Sequence, residues 1–283
     1  MNDFNKKLLD NIGDDYTQVS PLSLHMGIEI NNIDISNDES IKFIYKQLIE
    51  NKIVVLKNQN IDLASYVNFA KKLGNIAHYP FSKGLESHPE IIQIKKTPEQ
   101  KNNFSGMWHV DSTYLENPPD FTMLFAEITP PLGGDTVFSN STLAFEHLSE
   151  PLKYLLRNTD CEFVSNLHNS RRDEHLTNAN NTSIQKNHYK AIHPAIKKHE
   201  ETGKESIYIN QEHTKKICNL NIEESNYLIK YLTDFLTKSE FTLRVKWDPN
   251  MIVIWDNRAV QHHAVNDYNG FLRIMNRITI NKF

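Results

Sequence analysis

The pentapeptide Trp108-His109-Val110-Asp111-Ser112 places an imidazole and a carboxylate two positions apart. Side chains alternate between the two faces of an extended backbone, so His109 and Asp111 project to one side and a single metal ion can take both. Alone the pattern is weak, because ordinary solvent-facing strand ends also carry His-x-Asp. A segment near the C-terminus, Trp255-Asp256-Asn257-Arg258-Ala259-Val260-Gln261-His262-His263-Ala264, supplies a distant imidazole. Two His and one carboxylate form the facial triad that leaves three adjacent positions on iron(II) open, which oxygen chemistry requires. Residue type alone does not choose between His262 and His263. Arg273 and Arg277 stand four apart, with Met275 between them, in the strand-like run Phe271 to Ile280, so they share a face. A core-facing strand carries two guanidinium groups only where anions meet them, since an unpaired buried charge is very costly. Two anionic partners are implied.

The elements that must position these residues are mostly strands. Runs rich in β-branched and aromatic residues predict strands at Ile53 to Leu56, Ile91 to Ile94, Phe121 to Ile128, Ile207 to Ile209, Phe241 to Trp247, Met251 to Trp255 and Phe271 to Ile280. Helical periodicity predicts Asp38 to Asn51, Leu63 to Leu73 and Glu223 to Lys238, the last with Tyr227, Leu228, Tyr231, Leu232 and Phe235 on one packing stripe. A mainly β sandwich or barrel with flanking helices follows. No repeat and no Pro/Gly/Ser linker divides the chain, so residues 1–283 read as one domain. Pro80 to Gly106 and Ser165 to Tyr189 are polar and weakly periodic, long enough to act as lids or binding loops.

The 283 residues carry 31 Lys+Arg against 35 Asp+Glu, a net charge of −4, which excludes the basic field that nucleic-acid binding usually needs. No window approaches the roughly 20 apolar residues of a spanning helix, so no membrane partner is expected. The first residues mix charges of both signs without an apolar stretch, and Cys161 and Cys218 lack a Cys-x-x-Cys partner. A cytoplasmic protein with reduced thiols is the expectation.

Taken together these residues resemble the TauD/TfdA family of Fe(II)- and 2-oxoglutarate-dependent dioxygenases. The resemblance runs from about Leu22 to Ile280 and rests on His109-x-Asp111, Gly133-Gly134-Asp135-Thr136, Trp255-Asp256-Asn257-Arg258-x-x-Gln261-His262 and an Arg eleven residues after that His. His193-Pro194, Gly203-Lys204 and Ile207 to Asn210 also fit it. The resemblance implies a double-stranded β-helix, a jelly roll whose mouth holds the metal. It implies His109, Asp111 and His262 as iron ligands, with His263 a packing neighbour. Arg273 and Thr136 would meet the distal carboxylate of 2-oxoglutarate, and Arg277 the anionic group of the primary substrate. Fe(II), 2-oxoglutarate and O2 are the expected cofactor and co-substrates, with succinate and CO2 as co-products and a dimer or tetramer as the usual assembly.

The substrate is less legible. The family's taurine enzymes place a His directly before a Pro after the second helix; Tyr79 stands there in this chain, with His78 one residue earlier. Phe104-Ser105 replaces the Asp-Asn pair that meets the taurine amine. His78, Tyr79 and Ser105 are therefore candidate substrate contacts, for taurine or for a related alkyl sulfonate, sulfate or carboxylate. A zinc-type hydrolase or lyase is an alternative use of the same triad, but it has no use for Arg273 and Thr136. A catalytically inactive jelly-roll binding module would not need an intact triad.

Overall fold

The computed structural model describes residues 18–103, 106–165 and 188–283. Strands β1 (Gln18–Pro21) and β2 (Ile28–Asn31) lead into helix α1 (Asp38–Asn51), strand β3 (Ile53–Lys57) and helix α2 (Leu63–Leu73). Then come β4 (Asn75–Ile76), β5 (Ile92–Lys96), β6 (Phe121–Ile128), β7 (Thr136–Asn140) and the short helices α3 (Ser141–Glu146) and α4 (Glu150–Arg157). The rest runs β8 (Asp160–Val164), β9 (Lys190–Pro194), β10 (Ile196–Lys198), β11 (Glu205–Ile207), β12 (Thr214–Ile217), α5 (Ile222–Leu236), β13 (Thr242–Val245), β14 (Ile252–Asp256), β15 (Val260–Ala264) and β16 (Arg273–Asn281).

Period-two alternation explains the layers. In β14, Ile252 and Ile254 turn to helices α1 and α2, while Val253 and Trp255 turn inward. β6 does the same with Met123 and Phe125 against Leu124 and Ala126. A sheet covered on both faces reads as a continuous apolar run, which is why these strands were legible. The large sheet has the order β1-β2-β3-β14-β6-β16-β4, with β5 also paired to β16. Facing it is the sheet β13-β7-β15, whose Phe138, Val245 and Val260 meet Val253, Trp255 and Met275. This is the expected mainly β sandwich with flanking helices. A third cluster packs α3, α4 and α5 on β8, β11 and β12 through Phe145, Leu156, Phe163, Ile207, Ile217 and Leu232.

Two expectations need correction. Ile207 to Ile209 is not a strand: β11 ends at Ile207, and the Ile209 carbonyl accepts from the Gln261 side chain at 2.7 Å instead of from a neighbouring strand. The packing stripe of α5 is only partly the expected one: Leu228, Leu232 and Phe235 pack on the core, and the two tyrosines do not. Ser225, Leu232, Thr233 and Leu236 are buried, whereas Tyr227 and Tyr231 are 76% and 49% exposed. The helix seats Leu228, Leu232, Phe235 and Leu236 against the core and leaves its tyrosines outside. Of the two long irregular stretches, the first contains β5 and most of the second lies outside the described residues.

Candidate metal centre and its pocket

His109 lies before β6, on a segment that crosses the mouth of the sandwich and makes one antiparallel bridge to β15. The His109 N–H donates to the His262 carbonyl at 3.0 Å and the His262 N–H to the His109 carbonyl at 2.9 Å. This backbone bridge brings the two distant motifs together, with imidazole centroids 4.2 Å apart. Asp111 projects the same way, its Oδ1 3.6 Å from His109 Nε2, and Ser112 at φ +54° ends the extended stretch. One donor atom from each of His109, Asp111 and His262 lies within 4.8 Å of the others, and all three residues are buried. His263 takes the other side of β15, as alternation requires, and packs its ring on Trp108 at 4.7 Å.

Burial and neighbouring charges set the protonation of these groups. His109 Nδ1 faces the Met107 carbonyl at 2.8 Å; a carbonyl only accepts, so Nδ1 carries a hydrogen, and Nε2 is the nitrogen turned to Asp111. Burial works against a charged His109, but the Glu212 and Asp111 carboxylates outweigh it and hold its pKa above the ordinary imidazole value. Burial drives His262 well below that value, and neighbouring His109 adds to the effect. Burial alone would raise Asp111, yet the His109 hydrogen bond and the charges of His262 and Arg277 keep its carboxyl below the usual range. An ionised carboxylate and a neutral imidazole are the forms that ligate a metal. His262 Nδ1 is also buried with no hydrogen-bond partner among the described residues. The donor set therefore fits iron(II).

The same pocket is lined by Ile94, Leu124, Thr136, Trp255, Arg273 and Arg277. In β16, Ile278 and Ile280 face the helices, so Arg273, Met275 and Arg277 face inward. Arg273 is 6% exposed and sits over the rings of Trp247 and Tyr268 at 5.8 and 5.9 Å. Its Nε has no hydrogen-bond partner among the described residues, and burial pulls its pKa down. Trp247 Nε1 donates to Thr136 Oγ1 at 3.0 Å, which leaves the hydroxyl hydrogen of Thr136 free to serve a ligand. The Gly133-Gly134 turn that delivers Thr136 has φ +77° and +71°, and Asp267 Oδ1 accepts the Gly134 N–H at 2.7 Å. Arg244 holds Asp135 at 2.6 Å and Asp267 at 2.9 Å, fixing the turn from outside.

Arg277 Nη1 is 3.7 Å from Asp111 Oδ1, and its guanidinium lies 4.4 Å from the Tyr79 ring centre. Tyr79 is buried and His78 exposed; both line, with Arg277 and Tyr189, a second cavity on the outer side of that arginine. Ser105, like Phe104, lies outside the described residues. Sequence reasoning missed Trp247, Tyr268, Glu212 and Thr122, which touch the predicted residues, and Arg244, which acts through Asp135 and Asp267. None stands in a spacing that signals a site; only folding brings them there.

Several known proteins are similar to this chain. An alpha-ketoglutarate-dependent sulfate ester dioxygenase from Pseudomonas putida is 28% identical, covering 93% of this chain and 88% of its own. An alkylsulfatase from Acinetobacter baylyi is 28% identical over 93% of this chain and 84% of its own. Among solved structures, a taurine dioxygenase from Burkholderia xenovorans matches with a TM-score of 0.77 and 28% identity, covering 94% of this chain and 91% of its own. The fold is accordingly the double-stranded β-helix that the resemblance implied. Residues 18–279 match the family described as taurine catabolism dioxygenase TauD, TfdA, and the chain belongs to that family.

Proposed function

We propose that this 2-oxoglutarate-dependent dioxygenase holds Fe(II) on His109, Asp111 and His262, takes the distal carboxylate of 2-oxoglutarate on Arg273 and Thr136, and hydroxylates a small anionic organic substrate held by Arg277 and Tyr79. The observation that carries the reading is one pocket into which all three donors and both inward arginines open. When bound, the iron and 2-oxoglutarate supply the oxidative chemistry, using O2 and giving succinate and CO2 beside the hydroxylated product. The chain's residues bind and orient. Arg273 offers the planar fork that matches a carboxylate, Thr136 adds a donor, and Ile94, Leu124 and Trp255 keep the surroundings apolar.

Arg277 ties substrate to metal, because the guanidinium that would meet the anionic head group also lies beside Asp111. We assign the substrate to alkyl sulfates, alkyl sulfonates or carboxylates instead of taurine. Tyr79 in place of a His supports this, as do relatives named for sulfate esters and alkyl sulfates. His78 and Ser105 stay candidate contacts at the rim. The whole chain acts as one domain. A cytoplasmic homo-oligomer, dimer or tetramer, without nucleic acid or membrane, fits the net charge of −4 and the tyrosines exposed on α5. Among the described residues no helix is long and apolar enough to cross a membrane.

Anaerobic addition of Fe(II) and 2-oxoglutarate should give a weak visible charge-transfer band; its absence from folded protein overturns the cofactor assignment. Succinate release should then depend on a sulfate ester, sulfonate or carboxylate in a screen that also contains taurine and phosphonates. Protein that shows the band but responds only to taurine or phosphonates overturns the substrate class.

A further inference from the structure

Behind Asp111 lies a chain of hydrogen bonds that is fully buried and has a fixed direction. Thr122 Oγ1 is 2.6 Å from Asp111 Oδ2, Asn257 Nδ2 is 2.9 Å from Thr122 Oγ1, and Trp255 Nε1 is 3.0 Å from Asn257 Oδ1. Thr122, Asn257 and Trp255 are each no more than 2% exposed. An indole N–H can only donate, so it must face the amide oxygen of Asn257. The amide NH2 then faces Thr122, and its second contact is the Pro119 carbonyl at 3.2 Å, again an acceptor. With its oxygen accepting from Asn257, Thr122 turns its own hydrogen onto Asp111, which as a carboxylate only accepts. Every link is determined by the one before it.

The result falls on the metal site. Asp111 Oδ2 is engaged by the Thr122 hydroxyl, and Oδ1 is the oxygen that faces His109 Nε2. The strands make this possible: Thr122 of β6 is the direct cross-strand partner of Trp255 in β14, and Asn257 follows the end of β14. We propose that Thr122 and Asn257 are positioning residues, and that the Trp255-Asn257-Thr122 relay holds Asp111 as a one-oxygen ligand, so that metal affinity depends on the direction of the relay. This rests on the metal-site reading above. Partners that orient a metal ligand from behind commonly change affinity when lost, and a carboxylate free to rotate would offer both oxygens and occupy a position the reaction needs.

Three variants test it, read by titrating Co(II) into the metal-free protein and following its visible absorption, with thermal melting of the metal-free protein alongside. Thr122→Val deletes the hydroxyl at nearly constant shape. Asn257→Asp keeps shape and still accepts from Trp255, but its carboxylate draws the Thr122 hydrogen away from Asp111 and reverses the relay. Both should weaken Co(II) binding by about 10- to 100-fold and change the intensity of the absorption band, while Thr122→Ser stays within about threefold of wild type. The inference is overturned if Thr122→Val and Asn257→Asp bind Co(II) within about twofold of wild type with an unchanged band, whatever their melting temperatures. If Thr122→Val does not fold, Asn257→Asp against Thr122→Ser decides the same question. Failure of the wild-type chain to bind Co(II) would instead overturn the metal-site reading itself.

Discussion

Replacing Arg273 by Met removes a charge and a fork of donors while filling most of the same volume. The guanidinium is almost wholly buried, its Nε is unpartnered among the described residues, and it lies over two aromatic rings. Asp135, the carboxylate that could pair with it, is bonded to Arg244. Burial accordingly depresses the Arg273 pKa, with Tyr268 and Asp135 only partly compensating. The pocket thus holds a poorly compensated cation, and Met should have two effects of opposite sign. Losing a charge-assisted hydrogen bond to a carboxylate, about 1.5–3 kcal/mol, should raise the 2-oxoglutarate requirement about 10- to 100-fold. The protein without co-substrate should be unchanged in stability or gain about 1 kcal/mol, since an apolar side chain of similar volume often replaces a buried ion at no loss. The measurements are KM for 2-oxoglutarate at saturating Fe(II), and urea unfolding with and without co-substrate. At 100 times its Kd, 2-oxoglutarate should stabilise the wild type by about 2.7 kcal/mol, and at the same concentration it should do far less for the variant. A variant whose requirement moves less than about twofold, or which loses more than about 2 kcal/mol without co-substrate, would refute the argument that Arg273 is a cation waiting for an anion.

Other outcomes follow from the same geometry. His262→Ala should abolish iron-dependent turnover and His263→Ala should retain it, because the two rings face opposite sides of β15; the reverse result in the turnover assay would mean that the wrong His was chosen. Arg277→Met should raise the primary-substrate requirement and leave that for 2-oxoglutarate unchanged, and equal effects on both would contradict its assignment. Gly133→Ala places a Cβ 2.6 Å from Asp267 Oδ1 at φ +77°, so it should cost about 1–2 kcal/mol in conformation alone and raise the 2-oxoglutarate requirement by disturbing the turn that carries Thr136. Acid should weaken the fold through Asp256. Burial raises its carboxyl, but hydrogen bonds from His199 and Arg258 outweigh that and leave the pKa below its ordinary value. A depressed carboxyl contributes stability above the unfolded pKa of about 3.9 and loses it as pH falls further. Asp256→Asn should therefore cost about 3–5 kcal/mol near neutrality, and its disadvantage should shrink below about pH 4 in pH-dependent melts.

The pairing of His109 with Asp111 was legible because period-two alternation is local: the two share a side whatever surrounds them, as do Arg273 and Arg277. Strands β6, β14 and β16 were legible because helices cover one face and the second sheet the other. β15 was not, since Val260-Gln261-His262-His263-Ala264 sends a ligand into the pocket on one side and a ring onto Trp108 on the other, which erases the apolar run that marks a strand. Helices α3 and α4, at six and eight residues, are too short for periodicity to register. Thr122 shows the deeper limit. It is a polar residue inside the apolar strand Phe121 to Ile128, with nothing beside it in sequence to explain it; the explanation is Asn257, which follows the end of the neighbouring strand and reaches back with its side-chain amide. The same holds for Gln261, whose amide supports the Ile209 carbonyl, and for Asn276, whose amide meets Glu127. In each case a buried strand breaks its apolar pattern at a position whose partner comes from another segment. Local patterning fails where the chain carries polar groups that only the assembled sandwich can satisfy. Isolated polar residues in otherwise apolar strands are therefore where a sequence reading should look for the supports of a site whose ligands it has already found.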